Sequence, residues 1–178
     1  MEKFSHSVAI RELFEKPGLA ELGPKGRVSA FTVHEIEHAF KTSVKSQATD
    51  LLRAAASLWN DHLDEAHQIV QDLGNTEASL LHAIMHRREP DYGNAKYWFR
   101  RVGDHPSYPA VALEATTILA NHPDLRAFQM VASDRWNPFA FVDACEAAAL
   151  DRLSITSVEG LMTIQGIEMR SLVSAIGL

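Results

Sequence analysis

The 178-residue chain has a single cysteine, Cys145, so no internal disulfide framework can hold it together. That composition points to a reducing compartment. Flanked by Val142 and Ala149 at helical spacing, Cys145 is expected to be a small buried hydrophobe. No run of about 18 apolar residues occurs, so no membrane-spanning helix is expected. The first residues, MEKFSHSVAIRELFEK, set acids among the apolar positions and lack a small-residue cleavage site, which argues against a secretory leader. The expectation is a soluble, cytoplasmic protein with no membrane partner. Positive charge is also short: 17 Lys and Arg against 23 Asp and Glu leave a net charge of −6. The basic residues are scattered, without the stripe that phosphate-backbone binding needs, so nucleic acid is not an expected partner. Gly-rich phosphate loops, a dinucleotide fingerprint, and a nucleophile with an adjacent base are all missing. Asn-Gly and Asp-Gly hairpin turns are missing as well, and the only period-2 run is a short one at RVSAFTV.

What is present reads as helix after helix. With 46% hydrophobic and 22% charged residues, the chain can bury a sizeable core without staples. Residues 1–30 form an N-terminal segment: one weak helix stopped by Pro17 and Gly18, then the Gly/Pro-punctuated arm KPGLAELGPKGR. That arm is expected to be disordered or to touch a neighbouring subunit, giving a homo-oligomer. Residues 31–178 form a single α-helical domain.

Within it, residues 46–103 contain an internal repeat. A shift of 29 residues places Leu51 on Leu80, Leu52 on Leu81, Ala54 on Ala83, Ala66 on Ala95, Val70 on Phe99 and Gly74 on Gly103. The repeat predicts two stacked hairpins, with helices at 47–59 and 62–72, then 76–88 and 92–101, each closed by a glycine. Two such units are too few to stand alone, so the helices of residues 106–178 must complete the core. The predicted fold is all-α, an antiparallel helical array of two hairpins plus capping helices. The small alanines of LDEAH and GNAKYWF make the hairpins resemble tetratricopeptide-type repeats, a resemblance that implies a binding surface.

VHEIEH, residues 33–38, has the His-Glu-x-x-His spacing of a zinc peptidase helix, which would make His34 and His38 ligands and Glu35 a general base. The same residues also fit a capping box. Thr32 is the N-cap, Glu35 the N3 partner, and Phe31 and Ile36 form a hydrophobic staple. With Val33, Ile36 and Phe40 on one side, both histidines point away from the apolar face. The capped helix is the preferred reading.

The stronger constellation lies in HAIMHRREPDYGNAKYWFRR. Leu80, Leu81, Ile84 and Met85 define an apolar face, while His82, His86 and Glu89 line up on another at spacings of four and three. After Pro90, Asp91 is placed to cap the next helix, whose polar strip is Asn94, Tyr97 and Arg101. Three readings stay open. His82, His86 and Glu89, with His67 from the preceding hairpin, have the donor types for a divalent metal such as zinc and hence for a metal-dependent hydrolase. Arg87, Arg88 and Arg101 oppose a cation and favour a small anion or peptide clamped by guanidinium groups, with Tyr97 and Asn94 orienting it and no cofactor. In the third reading, Arg87, Arg88, Glu89 and Asp91 are a structural ion network that fixes the turn. Asp143 and Glu146, further along, would join this region if either faced Arg100 or Arg101.

The block LLHAIMHRREPDYGNAKYWFRRVGDHP, followed by WNPFAFVDACEAA and IQGIEM, resembles a family of uncharacterised bacterial and fungal proteins that share an HRREPDYGNAKYWFRR-like block. The resemblance runs over residues 48–170. It implies that the two blocks work as one unit, and it carries no activity with it. The function expected from the residues is a ligand-binding or protein-interaction module.

Overall fold

Side-chain caps set the helix limits. The computed structural model describes the backbone of residues 2–178 and the side chains from residue 8 onward. Helices α1 (Glu2–Glu15), α2 (Val33–Phe40), α3 (Gln47–Trp59), α4 (Leu63–Val70), α5 (Thr76–Arg88) and α6 (Tyr92–Val102) fill the first part of the chain. After them come α7 (Tyr108–Ala120), the single turn α8 (Pro123–Arg126), α9 (Pro138–Ala149) and the long α10 (Ile155–Ile176). The Ser46 hydroxyl accepts from the Thr49 N–H at 3.2 Å, Asn75 Oδ1 from Ala78 at 2.8 Å and Asp91 Oδ1 from Asn94 at 3.1 Å. Each satisfies a backbone donor that the first helical turn leaves unpaired. Gly103 ends α6 with φ +63°, a conformation in which a side chain would be strained. The predicted hairpin helices therefore form at or within two residues of their expected limits. RVSAFTV runs through turn and coil into α2. The paired strands are instead the two-residue ribbon β1 (Val131–Ala132) and β2 (Arg135–Trp136). No described helix is long and apolar enough to cross a membrane.

The all-α antiparallel array is built around α5. Every residue of α5 from Leu80 to Arg88 is buried, whereas α6 buries only Ala95, Phe99 and Val102. Helices α3, α4 and α6 pack directly on α5, and α10 closes the bundle against α3 and α7. A helix covered on all sides must satisfy its polar side chains inside the protein.

The arm of residues 17–30 packs on its own chain. Ala20 is buried, and its carbonyl accepts from Gln165 Nε2 at 3.0 Å. The Glu21 carbonyl accepts from Gln165 Nε2 at 3.2 Å and from Arg88 Nε at 3.1 Å. Arg27 bonds the Asp61 carboxylate through its backbone N–H at 2.9 Å and Nε at 3.0 Å, and it donates to the Pro17, Gly18 and Trp59 carbonyls. Donors from the protein body thus satisfy the Ala20 and Glu21 carbonyls, and a Gly/Pro-rich segment expected to be loose packs along its own chain.

Candidate functional site

At residues 33–38 both halves of the capping box are formed. Thr32 Oγ1 accepts from the Glu35 N–H at 3.3 Å, and Glu35 Oε2 accepts from the Thr32 N–H at 2.7 Å. The Thr32 N–H and the Thr32 hydroxyl, which donates to the same oxygen at 2.7 Å, hold the Glu35 carboxyl below its usual range. Phe31 packs on the cluster around Ile36, while His34 and His38 are exposed.

Around α5 the predicted residues separate by face. Successive side chains turn by about 100°, so His86, Arg87 and Arg88 point three ways, and every direction is covered. Arg87 faces α9 and α10. Its Nη2 lies 2.6 Å from Glu168 Oε2 and its Nη1 3.3 Å from Oε1, with Gln165 Oε1 at 3.4 Å and the Phe141 ring centre 4.3 Å from the guanidinium carbon. Burial pulls its pKa down, but Glu168 overcomes this and the net shift is upward. Arg88 faces α3 and the arm: Nη2 meets Asp61 Oδ1 at 2.5 Å, and Nη1 donates to the Leu58 carbonyl. Neither guanidinium reaches the histidine strip. The partners of both lie far along the chain, not at the turn around Glu89 and Asp91.

The rest of the strip does assemble. His86 Nδ1 donates to Glu89 Oε2 at 2.9 Å, and its Nε2 accepts from Asn94 Nδ2 at 3.1 Å, which straps α5 to α6. His82 Nδ1 donates to the Ala78 carbonyl at 3.1 Å, leaving the lone pair on Nε2. The His82 ring stacks on Trp98 with centroids 4.0 Å apart and planes 8° from parallel. Burial, helped by the nearby His67, His86 and Arg101, lowers the His82 pKa to about 4 against the opposing effect of the bond to the Ala78 carbonyl. The His67 ring sits edge-on at 5.2 Å from His82 and 5.9 Å from His86. However, both nitrogens of His86 and one oxygen of Glu89 are already engaged, and among the described residues no three His, Cys, Asp or Glu side chains are arranged to hold a metal ion.

Arg101 lies 5.2 Å over Trp98 and donates to the Tyr97 hydroxyl at 3.5 Å, and Tyr97 meets Trp98 edge-to-face at 5.6 Å. Trp98, outside the predicted polar strip of Asn94, Tyr97 and Arg101, is thus the hub of the site. Its neighbours on the strip could have revealed this: Trp98 lies between Tyr97 and Arg101 and one turn beyond Asn94, so it borders the polar face. Asp143 pairs with Lys96 at 2.5 Å, and the two blocks of sequence meet through the buried contact of Arg87 with Phe141. Cys145 is buried, which pushes its thiol pKa up to about 12. The chain matches no protein-family model, curated protein or solved structure. The functional reading therefore rests on the geometry of this face.

Proposed function

We propose that the chain is a non-catalytic recognition module whose face between α4, α5 and α6 takes a carboxylate-bearing peptide. The observation that carries this is Arg101. Its guanidinium is exposed, lies over Trp98, touches the Tyr97 hydroxyl and has no acidic partner among the described residues. A guanidinium held on an aromatic face keeps donors free for the two oxygens of a carboxylate, with less rotamer freedom left to lose on binding. Tyr97, 46% exposed, extends the aromatic surface, and the His82 Nε2 lone pair can accept from a peptide N–H. Stacked hairpins of the tetratricopeptide type present faces of this kind, and one unpaired, buried cysteine suits a cytoplasmic setting.

The experiment is titration of acidic and amidated peptides followed by Trp98 fluorescence, with Arg101→Gln as the variant. Saturable binding that needs the carboxylate and weakens about tenfold in Arg101→Gln supports the reading. Equal binding of the amidated peptide refutes it. The metal-dependent hydrolase reading would be favoured instead by stoichiometric zinc that is lost in His82→Ala.

A further inference from the structure

Cavities open just beyond the C-terminus of α6, where the loop after Gly103, the start of α7 and the β1–β2 ribbon meet. Two adjoining cavities, of about 230 and 440 Å³, share Asp104, Tyr108 and Trp136 as walls, and His105 lines the smaller. Three of these residues are more than nine-tenths buried: His105 at 4% exposed, Tyr108 at 7% and Trp136 at 6%. Each carries a polar atom without a hydrogen-bond partner among the described residues: His105 Nε2, the Tyr108 hydroxyl and Trp136 Nε1. One buried orphan is uncommon, and three on residues that line the same cavity call for an explanation.

The chemistry of the orphans is defined. The Ser107 N–H donates to His105 Nδ1 at 3.2 Å and the Ser107 hydroxyl lies 2.7 Å from the same nitrogen, which assigns the ring proton to Nε2. Burial lowers the His105 pKa, keeping the ring neutral. Ser107 is buried and lines neither cavity, so this pair sets the tautomer and does not present a nucleophile. The indole N–H of Trp136 can only donate, and the Tyr108 hydroxyl can also donate. Two fixed donors and a hydroxyl lack an acceptor. The charged wall residues cancel, Arg100 and Arg135 against Asp104 and Asp134, so net charge does not select the ligand. Pro109, Pro138, Phe99 and Phe139 supply flat apolar walls.

We propose that this cavity binds a small planar molecule that presents a carbonyl-type oxygen to His105, Tyr108 and Trp136. The three atoms are closed off from solvent, so an acceptor reaches them only when the wall opens. The Asp104–Arg135 ion pair beside them, 3.4 Å long and largely exposed, adds little resistance to opening.

The test uses the full chain and three probes with the same ring: benzamide, benzoate and benzylamine. The indole N–H resonance of Trp136, assigned with Trp136→Phe, is followed by heteronuclear NMR during each titration. A saturable shift with benzamide or benzoate, and none with benzylamine, is expected; the tighter of the two shows whether the acceptor is neutral or anionic. Tyr108→Phe separates a ligand site from a structural hydroxyl. It should weaken probe binding about tenfold while leaving the melting temperature unchanged or raised, because the hydroxyl it removes has no partner. No saturable shift with either acceptor probe, a shift with benzylamine alone, or a Tyr108→Phe protein that melts lower would each overturn the proposal.

Discussion

Replacing Glu168 by methionine tests whether the centre of the bundle is held by charge. The Arg87 and Glu168 side chains are 0% and 1% exposed and bonded at 2.6 Å, with a second contact at 3.3 Å. Two opposite charges about 4 Å apart attract by roughly 4 kcal/mol at an effective dielectric of 20. Breaking a buried pair from one side leaves the other charge uncompensated and costs about 3–5 kcal/mol. Gln165 and the Phe141 ring soften that loss but do not neutralise the guanidinium. Domains are stable by only about 5–15 kcal/mol, so the substitution consumes a large share of the total. For a chain of this length it should lower the melting temperature by roughly 6–20 °C. Arg87→Met should cost a similar amount by stranding the carboxylate. The double variant fills the space with side chains of similar volume and should recover to within about 1 kcal/mol of the parent. Urea unfolding of all four proteins closes the double-mutant cycle. If each single substitution costs less than about 1 kcal/mol, or the double costs the sum of the singles, the charge-centred account is wrong.

Three other outcomes follow from the same contacts. Asp61 accepts from both Arg27 and Arg88, so Asp61→Asn should loosen the arm and speed tryptic cleavage after Lys25; an unchanged digestion rate would refute the clasp. Thr32→Ala should cost about 1 kcal/mol in thermal unfolding while Glu35→Gln is mild, since glutamine also completes a capping box; the reverse order would point back to a catalytic Glu35. His82 has a pKa of about 4 when folded against 6.5 for an ordinary imidazole, so the unfolded chain binds the extra proton between them. Stability should be complete above pH 6.5 and decline as the pH falls toward 4. His82→Phe, which keeps a ring on Trp98, should flatten that part of a urea-midpoint profile measured against pH, and an unaltered slope would exclude His82 as its source.

The helices were legible because their signals are local. Caps such as Ser46, Asn75, Asp91 and Asn137 reach only two or three residues ahead, and the 29-residue repeat locates both hairpins without knowledge of what they pack against. The pairing of His86 with Glu89, three residues on, and with Asn94, eight residues on across the short α5–α6 connection, was within reach for the same reason. What covers a helix is a different kind of question. Whether Arg87 and Arg88 line a groove or fill the core depends on Glu168, 81 residues away, and Asp61, 27 away, and no periodicity within α5 records that all its faces are occupied. The arm looked loose because glycine and proline describe its backbone freedom, while its anchors, Gln165 and Asp61, belong to other elements. His105, Tyr108 and Trp136 read as ordinary loop and core residues along the chain. Only the tertiary structure brings them to one cavity, because an unmet hydrogen bond is defined by everything that surrounds the atom.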